Sequence, residues 1–228
     1  MVKDGISIFM VDATGKHQAV THDLNLTKFR ALSDLPVTGC HNPKLPRNSV
    51  ILPQGTADAK AAARITTWIA KSDISAPKPL SPDVLELEHF DDCVNVLATS
   101  HALRIKRDAR GDQLRDAIYA YIKQGPLSFN EFAMVVDYLH YDVGLVKTAK
   151  HAVMFSKAKG GARTPPEMGR IEAFAREWGF WGEMVGIEKE IFGGMEERER
   201  RDQADAAAAA ARRGRRGGPG GPGFTVVR

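Results

Sequence analysis

The chain of 228 residues is 43% hydrophobic and 26% charged, which suits one globular domain of about 150–200 residues followed by a tail. No window holds 18 uncharged apolar residues, and Met1-Val2-Lys3-Asp4-Gly5 opens on no apolar run, so neither a membrane span nor a secretory leader is expected. The formal net charge of +4 is localised: residues 206–228 carry five of the 32 cations and no acid, leaving 27 Lys+Arg against all 28 Asp+Glu in the rest.

In chain order, Ile6-Ser7-Ile8-Phe9-Met10-Val11 reads as a strand, Asp12-Ala13-Thr14-Gly15 as a turn, and Lys16 to Val20 as the partner strand. Thr21-His22-Asp23-Leu24 leads into a short helix with Leu24, Phe29 and Leu32 as core contacts. Residues 36–48 hold Pro36, Pro43, Pro46 and Gly39 and read as a loop, after which Ser49-Val50-Ile51-Leu52 is a third strand ended by Pro53. Thr56 is a candidate cap for a helix whose Ala57, Ala61, Ile65, Trp68 and Ile69 share one face. A Pro-rich break at residues 76–82 follows. The next apolar stripes are Phe90, Cys93, Val94, Leu97, Ala98 and His101, then Leu114, Ala117, Ile118, Tyr121 and Ile122, the latter capped by Asp112.

Ser128-Phe129-Asn130-Glu131 has capping-box spacing, with Leu127 and Phe132 placed as a hydrophobic staple. Asp142 caps a helix holding Leu145, Val146, Ala149 and Val153. Thr164-Pro165-Pro166-Glu167 is a second capping box, opening a helix with Ile171, Phe174, Ala175 and Trp178 that continues through Trp181, Val185 and Glu188 toward Ile191. Met195 to Arg201 has mixed charge, Ala206 to Ala211 is an alanine run of high helix propensity, and the Arg/Gly/Pro-rich end cannot bury a core. The expected fold is α+β: about three short N-terminal strands, then a cluster of about six helices at 5–155, an appended amphipathic helix at 164–192, a polar helical stalk at 193–211 and a disordered basic tail at 212–228.

The order of these elements resembles the BTB/POZ domain in its divergent, fungal-type form. His22-Asp23-Leu24, with Val20 before it, is similar to that family's Val-His-x-x-Leu step, and Trp68 stands in its aromatic-rich segment, although Ala70-Lys71-Ser72 replaces Tyr-Thr-Gly. Cys93 to Ser100 and Gln113 to Ile118 resemble two later helices of the family. The resemblance covers about residues 5–155 and is one of order and spacing. It implies a protein–protein interaction module, often self-associating and sometimes an adaptor for cullin-type ubiquitin ligases.

Sites of chemistry read blandly beside this. The two cysteines, Cys40 and Cys93, cannot build a disulfide framework, so a reducing compartment, nucleus or cytoplasm, is expected. His89 and Cys93 are four apart, but no second ligand pair completes a metal site, and Cys93 sits on an apolar stripe; Cys40-His41 has no partner pair either. His140-Tyr141-Asp142 lacks a nucleophile elbow, and no glycine-rich phosphate loop is present. Glu86, Glu88, Asp91 and Asp92 read as a solvated face, and Arg104, Lys106, Arg107 and Arg110 as a solvated connection. Gly160-Gly161 and Gly193-Gly194 read as helix ends. No catalytic, cofactor or metal residues are assigned, and the chain is read as non-enzymatic.

Two features point to binding. Trp178, Phe180 and Trp181 place three aromatics within four residues, on more than one helix face, and so are candidate protein-interface anchors. Arg212, Arg213, Arg215 and Arg216 resemble a short RGG-type segment suited to nucleic-acid backbone and unstacked bases. The reading is therefore an adaptor or oligomerisation module whose partner is another protein or itself. The alternative is an RNA- or DNA-associated protein that uses its tail.

Overall fold

The computed structural model describes residues 5–37, 45–46, 48–160 and 165–216. It is α+β: a three-stranded sheet of β1 (Gly5–Val11), β2 (His17–Asn25) and β3 (Ser49–Leu52) beside ten helical segments, all among the described residues. These are α1 (Leu26–Leu32), α2 (Ala59–Lys71), α3 (Pro82–Leu85), α4 (Phe90–Ala102), α5 (Arg107–Arg110), α6 (Gln113–Gln124), α7 (Phe129–Tyr138), α8 (Val143–Ala158), α9 (Pro165–Glu177) and α10 (Trp181–Arg216). The sheet order is β2-β1-β3, with β2 antiparallel and β3 parallel to β1.

The hairpin turn follows from its residues. Asp12 accepts from the Thr14 N–H and hydroxyl and from the Lys16 N–H, and Gly15 takes the positive φ of 78° that closes it. Beyond the turn β2 runs five residues further than expected: Thr21 to Asn25 continue the strand instead of leading into a helix. The ladder shifts register around Ile8, and Asp23 turns through a left-handed φ of 58°, which a short polar side chain tolerates. The helix starts one residue later, where the Asn25 carboxamide accepts from the Lys28 N–H.

Ile6, Ile8, Leu24, Val50 and Leu52 bury the inner face of the sheet against α1 and α2. The cap of α2 is Asp58, not Thr56; its carboxylate accepts from the Ala61 N–H at 2.8 Å. Ala61, Ile65, Trp68 and Ile69 are buried as their spacing requires. On the outer side, Lys60 and Arg64 of α2 both reach Asp92 of α4. The end of α1 meets the end of α4: Ser33 donates its hydroxyl proton to the Leu103 carbonyl, and Ser33 bridges Ile105 as a strand pair would.

The helical layer is built around Phe132, Val135 and Val136 of α7. Ser128 and Glu131 form the expected capping box, and Leu127 and Phe132 are buried together. Asp112 occupies the cap position of α6 but makes no side-chain cap bond there. Along that helix Leu114, Ile118 and Ile122 are buried, whereas Tyr121 stays 43% exposed, stacks on Phe90 and donates to Glu131. Thr164 of the second expected capping box lies outside the described residues; its Glu167 accepts from the Phe129 N–H at 2.8 Å and ties α9 to α7.

The expected single helix from 164 through 192 is two helices. Gly179, at φ 77°, donates its N–H to Arg176 and lets the Phe180 N–H reach Ala175, a Schellman closure that ends α9 and redirects the chain. After the bend, Met184, Ile187 and Ile191 are the buried residues of α10, packed on α8; Glu188 pairs with Lys157. Gly160 does end α8, at φ 64°, but Gly193 and Gly194 lie inside α10. From Glu196 to Ala210 every residue of α10 is exposed. Its backbone stays helical to Arg216, so the first five residues of the expected tail extend the helix, and residues 217–228 lie outside the described residues.

Candidate interaction surface

The three corner aromatics divide between core and solvent. Phe180 turns inward against Phe132 and Phe174, with ring centroids 6.3 and 6.4 Å away, and the Lys150 ammonium lies 4.1 Å above its ring. That ammonium is largely buried and pairs with Glu183 at 2.7 Å, so a cation and an aromatic together pin α10 to α8. Trp181 is half-buried near Lys157 and Arg176. Trp178 is the exposed member, at 47%, resting on Phe174. It holds the helix C-cap position immediately before Gly179, so its exposure follows from the bend.

The sheet presents a second surface. Among the described residues β2 pairs with β1 alone, which leaves one edge of a nine-residue strand open. Most of its side chains are exposed, and Asp23 is its only acid, with no Lys or Arg along it. Native edges are usually blunted by lysine, proline or short length. The opposite edge obeys that rule: β3 is four residues long and stops at Pro53. The edge of β2 is nine residues long and carries neither lysine nor proline, and the register shifts of its ladder with β1 are its one interruption.

No family model, curated protein or solved structure matches the chain. The functional reading therefore rests on its own geometry.

The chemistry-bearing residues do not converge. Asp142 caps α8 by accepting from the Leu145 N–H and also holds Arg115 at 2.6 Å. His140 turns to the Asp137 carbonyl, and Tyr141 stacks face to face on His101 with centroids 3.9 Å apart, so no His–Asp dyad forms. Burial, aided by the nearby cations Arg110, His140 and Arg104, pushes the His101 pKa down. Cys93 is in the core, where burial raises its thiol pKa, and His89 stands exposed at the start of α4. Cys40-His41 lies outside the described residues. No group of three or more His, Cys, Asp or Glu able to hold a metal ion occurs among the described residues, and no helix there is long and apolar enough to cross a membrane.

Of the acidic run, Asp92 is taken up by Lys60 and Arg64, and Glu86 closes α3 at φ 52°. In the basic connection, Lys106 donates to the Arg30 carbonyl beside Asp34. Sequence reasoning missed the β2 edge and a groove along α8, because both are properties of which elements lie side by side.

Proposed function

We propose that this chain is a non-enzymatic protein–protein interaction module of BTB/POZ-like build, binding a second copy or another protein through strand and helix surfaces of its body. The observation that carries the reading is the open edge of β2. The outward-facing N–H and C=O groups of alternate residues along β2, on an edge almost free of charge, can add a strand from another chain, with main-chain hydrogen bonds giving affinity and alternate side chains giving specificity. The order strand, strand, helix, strand, helix, with the third strand parallel to the first, supports the BTB/POZ-like part of the reading. Trp178 adds an exposed aromatic anchor on a braced corner.

Light scattering of the full chain over a concentration series tests this. The weight-average mass should rise toward that of a dimer, and Ala19→Lys on the β2 edge should weaken the association about tenfold, or ~1.4 kcal/mol. A monomer unchanged up to about 1 mM, a Kd equivalent to only ~4 kcal/mol, rules out strand-edge self-association.

The segregated charge favours a second reading, in which the basic end contacts RNA or DNA. Helix α10 continues beyond its last half-buried contact at Met195 and carries Arg212, Arg213, Arg215 and Arg216 in its final turns. With about four arginines on phosphate, the logarithm of affinity should fall with the logarithm of salt at a slope of about −3. Filter retention of a single-stranded oligonucleotide checks this. Deleting residues 206–228 should abolish retention, and absence of retention by the full chain at low salt ends this reading.

A further inference from the structure

A groove of about 650 Å³ lies between the end of α6 and the outward side of α8. Lys147, Thr148, His151, Ala152, Phe155 and Lys159 line one wall, a stripe of about 18 Å at 1.5 Å per residue. The other wall is Tyr119, Ile122 and Lys123 with the turn at Gly125-Pro126. That turn carries the chain away from α8 to bury Leu127 beneath α7, and so the stripe is left uncovered.

The floor and the rim differ in kind. Ile122 is buried, Ala152 and Tyr119 are half-buried, and Phe155 is 38% exposed. The rim holds three ammonium groups, and no Asp or Glu lines the groove. Lys123 lies 4.5 Å above the Tyr119 ring and Lys159 4.6 Å above Phe155, and none of the three lysines pairs with a carboxylate among the described residues. Lysines elsewhere on the same helix do pair: Lys150 with Glu183 and Lys157 with Glu188. In a body whose acids and bases nearly balance, the groove is thus a local cationic excess around an apolar floor.

We propose that this groove docks an acidic amphipathic helix of another protein. A partner of about three turns matches the stripe in length. Its apolar face would cover Tyr119, Ala152 and Phe155, and its carboxylates would meet Lys123, Lys147 and Lys159, as in helix-in-groove recognition. The concave apolar floor favours such a helix over a flat anionic bilayer and over a sugar-phosphate backbone. This inference rests on the reading of the chain as an interaction module but needs neither the β2 edge nor self-association.

The test is fluorescence anisotropy of a labelled synthetic helix of about 14 residues, ~21 Å long, with leucines on one face and glutamates elsewhere, titrated with the full chain. Saturable binding that weakens with rising salt is the expected result. The triple variant Lys123→Glu, Lys147→Glu, Lys159→Glu should bind at least about tenfold more weakly. Ala152→Trp, which fills the floor and leaves the charges alone, should also block binding. Circular dichroism identifies any variant that fails to fold, and Ala19→Lys, which acts on the β2 edge, should bind the peptide normally. The proposal is overturned by no saturable binding, by equal binding to the triple variant, or by equal binding of a peptide with lysine in place of glutamate. Lysine-dependent capture by phosphatidylserine vesicles without peptide binding overturns it too, in favour of a membrane surface.

Discussion

Asp142 concentrates two roles in one side chain, as the cap of α8 and the partner of Arg115. Burial alone would raise its pKa, but the Arg115 guanidinium and the Leu145 N–H outweigh it and hold the carboxyl below the usual carboxylate range. A carboxyl depressed in the folded state contributes stability above its unfolded pKa of about 3.9 and loses it as pH falls toward the folded value. Asp142→Asn keeps the capping oxygen and removes the charge. It should cost up to about 1 kcal/mol at neutral pH, since Arg115 is partly solvated. In urea unfolding the difference from wild type should shrink as pH falls below about 3.9 and close once the folded-state carboxyl is protonated; a gap that persists after that means the charge was not its source. Gly179 shows the complementary limit of residue-level reading. The apolar period runs across Trp178, Phe180 and Trp181 without interruption, so the spacing reads as one helix, while the positive φ that breaks it belongs to a single glycine. Ser128, Glu131 and Asp142 were legible because a cap reports only on residues within one turn of itself.

At the scale of elements, the join between α8 and α10 holds the C-terminal part to the body. Met184 is fully buried, Ile187 and Ile191 nearly so, and the pairs Lys150–Glu183 and Lys157–Glu188 flank them. Met184→Ala should cost about 2–4 kcal/mol in chemical unfolding, whereas Phe192→Ala, at a side chain 44% exposed, should cost well under 1. Equal losses from the two would mean that α10 docks by another face. The same scale explains what the chain alone concealed. In the sequence β2 reads as ending at Val20, with residues 21–24 leading into a helix, whereas its continuation depends on pairing with Ile6 and Gly5 of a neighbouring strand. Helical spacing puts Tyr121 on the apolar stripe, yet its ring covers Phe90 from outside and its hydroxyl finds Glu131 on α7. The groove along α8 exists only because α6 ends beside it.

For the whole molecule, the body and the far part of α10 obey different physics. The body closes one continuous set of buried side chains from Ile6 to Ile191. From Glu196 to Ala210, α10 has no docked face; alanines and the i,i+4 pairs Glu196–Arg200 and Glu197–Arg201 are what hold its turns. Local terms of that kind outweigh Gly193 and Gly194, which read as terminators when the sequence is taken alone. A helix sustained this way frays by degrees on warming, since nothing couples its turns to the unfolding of the core. A thermal scan of helical ellipticity should show a sloping foot well below the sharp transition of the body. Removing residues 196–228 should erase the foot and leave the midpoint in place. One backbone would then carry both an all-or-none globule and a projecting rod whose length shortens smoothly with heat.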